Sequence, residues 1–342
     1  MIPHTLKSCK LPDESNLLLS DWQQAMRQAI RDPGELLGFL QLPKSLLAET
    51  KLAHQQFPLL VPRYFAGLME KGNPNDPLLR QVLPLNIELD AQPGFSDDPV
   101  GDLDAMKQPG VIHKYKGRVL LTTTPACAVH CRYCFRRHFP YNEANPIQQN
   151  WGKAIEYINN QLDVNEVILS GGDPLSLGDE RLLTLMTQLE AIPHLSRLRI
   201  HTRQPVMLPN RITPALVEGL EQTRLNTVMV IHANHPNEVT ETLAHALNKV
   251  RQTGTTLLNQ AVLLDGINDD APTLVRLSER LFDCNVLPYY LHLIDKVKGA
   301  HHFDVDRNRA KNLHAEIQAM LPGFLVPKLV TEISGAAAKQ PV

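Results

Sequence analysis

Strand-like and helix-like segments alternate along residues 118–294, and this alternation constrains the fold more than any other feature of the chain. Short apolar runs typical of buried strands lie at 118–124, 166–170, 198–202, 227–232, 256–264 and 286–294. Segments whose apolar residues have helical spacing separate these runs, at 151–162, 179–191, 213–223, 237–253 and 270–283. Strand–helix–strand connections require parallel strands, and repeated right-handed crossovers curl such a sheet toward a barrel. The sequence therefore predicts an α/β fold, specifically a partial (β/α)6 barrel of the TIM type.

The residues on either side of the barrel predict two smaller parts. A chain of 342 residues is long enough for a large catalytic domain with appendages. Residues 1–105 read as helices and loops, with breaks rich in proline and acid at 72–77 and 92–99. We therefore expect an N-terminal helical segment over 1–105, the barrel over 106–297 and a C-terminal tail over 298–342.

Charge and hydropathy narrow the class of protein. A net charge of −2 offers no electric field that would attract nucleic acid or an anionic membrane, and the sequence has no local basic patch. No stretch approaches about 18 unbroken apolar residues, and residues 1–20 lack the apolar core of a signal peptide. We expect a cytoplasmic protein whose partners include neither nucleic acid nor membrane.

Three of the five cysteines, Cys127, Cys131 and Cys134, lie within eight consecutive residues directly after the first predicted strand. Five cysteines are too few for a disulfide scaffold in a chain of this size, so their clustering indicates a metal centre. Three thiolates can hold an iron–sulfur cluster and leave one iron open to a cofactor or substrate. The alternative is a zinc site that His130 or His138 would complete.

Polar residues also follow the later strands. In α/β barrels the chemistry gathers on the loops at the carboxyl ends of the strands. The second such loop holds Ser170, Gly171, Gly172 and Asp173. Its glycines permit close approach of a ligand to bare backbone, although a pair of glycines in an ordinary turn is the alternative. His232 ends the fourth predicted strand and Asp295 follows the sixth, so we expect several polar groups at one mouth of the barrel.

The cysteine spacing, with an aromatic residue just before the last cysteine, resembles the radical S-adenosylmethionine (SAM) superfamily. Four short sequences narrow the resemblance to the lysine 2,3-aminomutase family: CRYCFRRH at 131–138, SGGDPL at 170–175, HPNE at 235–238 and PYY at 288–290. This resemblance extends from about residue 61 to the C terminus. Within the family, EKGNPNDPLL at 70–79, the pair Phe135 and Arg136, and the short chain resemble the bacterial branch that makes (R)-β-lysine for elongation factor P.

The resemblance implies three cofactors. It implies a [4Fe–4S] cluster on the three clustered cysteines, SAM at the open iron and along residues 170–173, and pyridoxal 5′-phosphate (PLP) on Lys339. The stretch before Lys339 reads Gly335 and then three alanines, whereas the family has glycines there. Further cofactor contacts are implied for Tyr115, Arg118, His232 and Gln260, and Lys114 stands where the family has an arginine.

The resemblance also implies the substrate-binding residues. Arg136 matches the arginine that binds the substrate carboxylate, and a guanidinium offers the bidentate geometry that a carboxylate requires. Asp295 and Glu332 match two acids that hold the ε-ammonium of lysine, with Glu332 in place of an aspartate. Two acids at this end favour a cationic side chain over that of glutamate. The structural alternatives are a turn cap for Asp295 and an ion pair with Asp173 for Arg136.

The implied reaction is conversion of L-α-lysine to (R)-β-lysine. The product would supply the ligase that modifies elongation factor P, and an electron donor such as flavodoxin would reduce the cluster. Three alternatives stay open at this stage: an aminomutase for another amino acid, a radical SAM enzyme that acts without PLP, and a metal-binding module without catalytic activity.

Overall fold

The computed structural model describes residues 22–141 and 151–342. Within these residues one ten-stranded sheet has its strands in the order of the chain. The strands are β1 Met106–Gln108, β2 Val111–Tyr115, β3 Arg118–Thr124, β4 Glu166–Gly171, β5 Arg197–Thr202, β6 Asn226–Ile231, β7 Thr256–Val262, β8 Leu287–His292, β9 Lys328–Thr331 and β10 Gln340–Pro341. The expectation that residues 1–20 contain no signal peptide lies outside the described residues.

Helices connect most of the parallel strands and form much of the N-terminal segment. The α-helices are α1 Trp22–Arg27, α2 Pro33–Phe39, α3 Leu47–Gln56, α4 Arg63–Gly67, α5 Gly152–Asn159, α6 Asp179–Glu190, α7 Gln204–Met207, α8 Pro214–Gln222, α9 Glu241–Gln252, α10 Ala271–Asp283 and α11 Arg307–Met320. Short 3₁₀ helices occur at Lys44–Leu46, Leu79–Gln81, Asn86–Leu89, Pro174–Ser176, Pro209–Arg211, Pro236–Glu238, His301–Phe303 and Gly323–Leu325. No helix in the described ranges is both long and apolar enough to cross a membrane.

The strand order confirms the predicted α/β fold. Strands β3 to β9 pair in parallel with their neighbours along the chain. Each predicted apolar run overlaps one of the strands β3 to β8, and each predicted helical segment overlaps α5, α6, α8, α9 or α10. Strand β8 is followed by α11, so six strand–helix units form the partial (β/α)6 barrel.

The sheet also contains short strands that periodicity did not predict. Strands β1 and β2 form an antiparallel hairpin that joins the edge of β3. At the other edge β9 is parallel to β8, and β10 runs antiparallel to β9 with Gln340 opposite Thr331. These strands have two to five residues, too few to show an apolar alternation. Their pairing returns the C-terminal tail to the sheet next to Glu332.

The N-terminal segment and the barrel share one hydrophobic cluster. It includes Ile30 and Phe65 of the N-terminal segment, Val119 and Leu169 of the barrel strands, and Leu329 of β9. Since these side chains are removed from water together, their burial stabilises the segment and the barrel jointly. The proposed boundaries at 105 and 297 stay a prediction.

Local sequence explains where several barrel helices begin. Asp270 accepts a hydrogen bond from Thr273 N at 2.9 Å, and a proline follows in the first turn of α10. Thr240 accepts from Leu243 N at 3.1 Å and so caps α9. Such caps satisfy backbone donors that the helix leaves without partners. The capping residues Thr240 and Asp270 therefore fix the positions at which α9 and α10 begin.

Candidate active site

The cysteine loop follows β3 and is attached to the N-terminal segment by backbone hydrogen bonds. His130 N donates to Leu60 O at 3.1 Å and Arg132 N donates to Gln81 O at 3.0 Å. Cys134 N donates to Cys131 O at 3.0 Å, which closes a turn between two of the thiols. The N-terminal segment thus takes part in shaping the loop that carries the predicted metal ligands.

The two histidines that a zinc site would use contact other groups. The Nδ1 atom of His130 lies 2.7 Å from Pro58 O, and the ring packs against Phe57 with the centroids 5.4 Å apart. The Nε2 atom of His138 lies 3.3 Å from Lys298 O. Both histidines therefore attach the loop to its surroundings.

The three thiols are free and only partly exposed. Burial, together with Asp173 and the other two thiols, raises the pKa of Cys127 well above its usual value. Burial and Cys131 raise the pKa of Cys134 to about 11. Three thiolates this close together require a cationic partner, which the irons of a cluster supply. Arg203 Nη1 donates to Cys131 Sγ at 2.8 Å and adds a positive charge beside the loop.

The donor set of this loop fits an iron–sulfur cluster. Thiolates are the usual ligands of such clusters, and each thiolate binds a separate iron. Over residues 22–141 and 151–342, no three His, Cys, Asp or Glu side chains lie close enough together to hold one single ion. Such close grouping is needed only where several side chains bind the same ion. In a cluster each thiolate binds a different iron, so the thiols lie further apart.

The glycine-rich loop packs directly against the start of the cysteine loop. Gly171 has a φ of +119°, and a Cβ atom on Gly172 would lie 2.4 Å from Ala126 O. Gly172 N donates to Thr124 O at 2.7 Å and Asp173 N donates to Ala126 O at 2.8 Å. Both glycines are therefore required for close approach between two stretches of backbone. Their predicted contact with SAM stays a prediction.

Asp173 organises the loop after β5. Its carboxylate accepts hydrogen bonds from Thr202 Oγ1 at 2.7 Å, Arg203 N at 2.7 Å and Gln204 N at 3.0 Å. These bonds place the side chain of Asp173 between the second and third loops of the barrel. The ion pair of Arg136 lies elsewhere, with Asp102.

A row of alternating charges connects the C-terminal tail with the cysteine loop, and we call it the charge row. Lys339 Nζ donates to Glu332 Oε2 at 2.6 Å, and Lys114 Nζ donates to Glu332 Oε1 at 2.8 Å. Lys114 Nζ also lies 2.6 Å from Asp102 Oδ1. Asp102 Oδ2 in turn accepts from Arg136 Nε at 2.7 Å. The predicted PLP lysine, one predicted ammonium-binding acid and the predicted carboxylate-binding arginine therefore belong to one contiguous cluster.

Each acid of the charge row is held in its ionised form by two cations. Burial raises the pKa of Glu332, but the ammonium groups of Lys339 and Lys114 outweigh this effect and lower the pKa to about 2. Burial likewise opposes ionisation of Asp102, and Arg136 and Lys114 hold its pKa below the usual value. Both acids are ionised near neutral pH because each has two cationic neighbours.

Asp295 lies beside the charge row, on the loop after β8. Burial and then the carboxylate of Glu332 raise the pKa of Asp295 to about 7, while Lys339 acts in the opposite direction. The two predicted ammonium-binding acids thus lie close enough to Lys339 and to each other to interact. Arg136 Nη1 extends the same cluster to Ser170 Oγ at 3.0 Å.

The remaining predicted cofactor contacts lie on strands of the sheet or directly after one. Arg118 lies opposite Tyr115 in the β2–β3 pair, and its guanidinium stacks 4.5 Å from the centre of the Tyr115 ring. His232 stacks on Tyr133 of the cysteine loop with the ring centroids 5.7 Å apart. Burial and then Arg203 lower the pKa of His232 to about 3, so this imidazole is neutral. Gln260 lies on β7, opposite a residue of β8.

Two histidines near Lys339 were not predicted. Burial lowers the pKa of His201 and of His292 well below the usual value. The positive charge of Lys339 is one of the nearby charges that lower both pKa values further. Among the described residues, the Nε2 atom of each is buried and has no hydrogen-bond partner. Buried polar atoms normally have partners, so these two nitrogens fit a polar ligand beside Lys339.

Comparison with known proteins gives the family. The model of the radical SAM superfamily matches residues 121–277. L-lysine 2,3-aminomutase of Escherichia coli (strain K12) is 49% identical over 323 residues, which cover 94% of this chain and 94% of that protein. The protein of the same name from Haemophilus influenzae is 47% identical over 319 residues, and that from Clostridium subterminale is 34% identical over 335 residues. The alignments cover 94% and 79% of these two proteins.

The chain belongs to the lysine 2,3-aminomutase family. Its cofactors are therefore a [4Fe–4S] cluster, SAM and PLP. In this chain the free thiols of the cysteine loop fit the cluster. The buried nitrogens of His201 and His292 near the Lys339 ammonium fit a polar cofactor such as PLP.

The sequence could have predicted two of the residues that were missed, but it could not have predicted a third. His201 and His292 lie near the carboxyl ends of β5 and β8, where catalytic side chains of a barrel are expected, so their position was a usable signal. Asp102 precedes β1 in an acidic loop outside the barrel units. Its role depends on contacts with residues far along the chain, and the local sequence contains no sign of them.

Proposed function

We propose that this protein is an L-lysine 2,3-aminomutase that converts L-α-lysine to (R)-β-lysine. The observation that carries the proposal is the charge row, which links Lys339 and Glu332 to Arg136. Arg136 at one end offers a cationic group for the substrate carboxylate, and near the other end Glu332, with Asp295 beside it, offers acids for an ammonium. These two places match the α-carboxylate and the ε-ammonium of free lysine.

When bound, the cluster and SAM supply a 5′-deoxyadenosyl radical, and PLP supplies the conjugated system through which an amino group moves between adjacent carbons. Arg136 binds the substrate carboxylate in this proposal. A guanidinium carries five N–H donors, and its bonds to Asp102 and Ser170 use two of them. The same two bonds hold the guanidinium in a fixed orientation toward the substrate.

The acids explain why the substrate side chain is an amine. Glu332 Oε2 already binds the primary ammonium of Lys339 at 2.6 Å, which is the same chemical group as the ε-ammonium of lysine. A carboxylate that binds one primary ammonium is suited to bind another, so Glu332 would accept the ε-ammonium of the substrate. Asp295 adds a second carboxylate nearby, and together the acids disfavour substrates with an anionic side chain.

The decisive experiment is an anaerobic assay with chiral product analysis. Reconstituted protein with SAM, a chemical reductant and L-lysine should form (R)-β-lysine. Absence of β-lysine, or formation of the (S) product alone, would overturn this proposal. A Lys339→Ala variant should lose turnover, whereas full turnover by that variant would indicate a radical SAM enzyme that acts without PLP.

We propose further that the product serves the modification of elongation factor P in the cytoplasm, with a donor such as flavodoxin as the source of electrons. Support comes from the segment at 70–79 and from Phe135 and Arg136, which resemble the branch with this role. The test is the intact mass of elongation factor P from cells that lack the gene. The mass of the β-lysyl group should be missing, and the native gene should restore it.

A further inference from the structure

A loop of the N-terminal segment lies against the candidate active site. Its residues 96–102 run beside the loop that carries Asp295, because Ser96 N donates to Lys296 O at 2.9 Å and Lys298 N donates to Ser96 O at 3.0 Å. Its other end contacts the C-terminal tail. A Cβ atom on Gly101 would lie 2.3 Å from Ser334 Oγ. The loop therefore touches the segments that carry both predicted ammonium-binding acids.

The loop holds Asp102 in a defined position. Asp98 accepts hydrogen bonds from Asp102 N at 2.9 Å and from Leu103 N at 2.9 Å, which fixes the backbone at this point. Val100 O accepts from Lys114 Nζ at 2.8 Å. The side chain of Asp102 is only 4% exposed, and both of its oxygens bind cations.

The two partners of Asp102 serve opposite ends of the proposed substrate. On one side Asp102 Oδ2 binds Arg136, the residue proposed to bind the carboxylate. On the other side Asp102 Oδ1 binds Lys114, which binds the ammonium-binding acid Glu332. Each link is a short hydrogen-bonded ion pair between largely buried groups, and such pairs restrict the side chains that they join.

We propose that Asp102 is a positioning residue that fixes the distance between the carboxylate-binding and ammonium-binding ends of the site, and so selects the length of the substrate side chain. The inference rests on the proposed function. L-ornithine has the same α-carboxylate, α-ammonium and side-chain ammonium as L-lysine, with one methylene fewer in the side chain. With the two ends held apart, ornithine cannot reach both. If the link is broken, each end moves independently and the preference for lysine falls.

The test compares Asp102→Asn with the native enzyme on both amino acids. Asparagine keeps the size of the side chain and removes the charge that holds Arg136 and Lys114. We expect the KM for L-lysine to rise roughly 10- to 100-fold with a smaller change in kcat. The ratio of kcat/KM for lysine to that for ornithine should fall by about tenfold, the usual scale of discrimination for one methylene. Bound PLP and iron content should stay near native values.

Asp97→Asn is the matched control, since it makes the same chemical change in the same loop at an exposed side chain that pairs with Lys298 and touches neither Arg136 nor Lys114. It should leave the ratio unchanged. If Asp102→Asn does not fold, Asp102→Glu keeps the charge and lengthens the link, and it should change the ratio at native thermal stability. A native ratio in a folded Asp102 variant would overturn the inference. Native enzyme that fails to act on lysine would overturn the proposed function instead.

Discussion

Asp295 shows how a single carboxyl group can make substrate binding depend on pH. Its pKa in the ligand-free protein is raised to about 7 by burial and by Glu332, so the group is largely protonated in mildly acidic solution. An ammonium binds to the ionised form and lowers this pKa. Lysine binding below about pH 7 must therefore release a proton, and affinity must increase with pH until Asp295 is ionised.

We accordingly expect the KM for L-lysine to fall as the pH rises from about 6 to about 8. The slope should approach about tenfold per pH unit on the acid side. An Asp295→Asn variant should bind lysine more weakly and lose this dependence. Steady-state kinetics across this range provide the measurement, and an unchanged slope in the variant would assign the dependence to another group.

Arg203 contacts one of the thiols that would hold the cluster. It donates to Cys131 Sγ, and hydrogen bonds to cluster sulfurs, like nearby positive charge, favour the more negative reduced form. An Arg203→Gln variant should therefore have a more negative midpoint potential. Redox titration followed by electron paramagnetic resonance measures this shift. Arg211→Gln serves as the control, because Arg211 is also buried but pairs with Asp179. Equal potentials in Arg203→Gln and native protein would contradict the prediction.

At the scale of elements, the short strand β10 follows Lys339 directly and attaches the tail to the sheet. Strand β10 has two residues, Gln340 and Pro341, and pairs with β9 directly before Glu332. Val342 N also donates to Leu329 O at 3.2 Å. The lysine is therefore held between a turn and a strand, and its neighbour along the chain is hydrogen-bonded into the sheet.

Deletion of residues 340–342 should weaken PLP binding although Lys339 itself remains. Without the β9–β10 pairing the tail loses its attachment, and terminal residues without such attachment are poorly ordered. The affinity for PLP can be measured from the absorbance of the bound cofactor. The control is Lys339→Ala in the full chain, which should lose the covalent cofactor. Native PLP affinity in the truncated chain would show that β10 has no part in placing the lysine.

At the scale of the whole molecule, the N-terminal segment is joined to the cysteine loop by buried charges as well as by the shared core. Glu88 Oε1 accepts from Arg132 Nε at 2.6 Å, and Arg137 Nη1 lies 3.0 Å from Glu88 Oε2. Arg132 is only 1% exposed. Removal of one partner from such a group leaves the other charge buried and unpaired.

A Glu88→Gln variant should therefore be destabilised by about 3–5 kcal/mol, the usual cost of leaving a buried charge without its partner. Thermal or denaturant unfolding provides the measurement. Glu35→Gln removes the partner of Arg63 in an exposed pair and should cost no more than about 1 kcal/mol. Equal stabilities of the two variants would mean that the buried pair does not hold the segment to the loop.

Much of the fold follows from local signals in the sequence. The apolar run at 118–124 is β3 with the same bounds, and the helical segment at 270–283 differs from α10 by one residue. Such elements depend on side chains a few positions apart, so their periodicity is visible in the chain. The hairpin β1–β2 and the strands β9 and β10 depend on pairing between distant segments, and their sequences are too short to be periodic.

The same distinction applies to the site. The sequence alone determined the order of the barrel units and the presence of three thiols on one loop, because both are properties of neighbouring residues. Only the tertiary structure decided that Asp102 joins Arg136 to Lys114 and that Glu332 holds Lys339. The N-terminal loop, β2, the cysteine loop and the C-terminal tail each bring one or two charges. Opposite charges from these segments pair only where the fold brings all four together, and partial exclusion of water strengthens each pair.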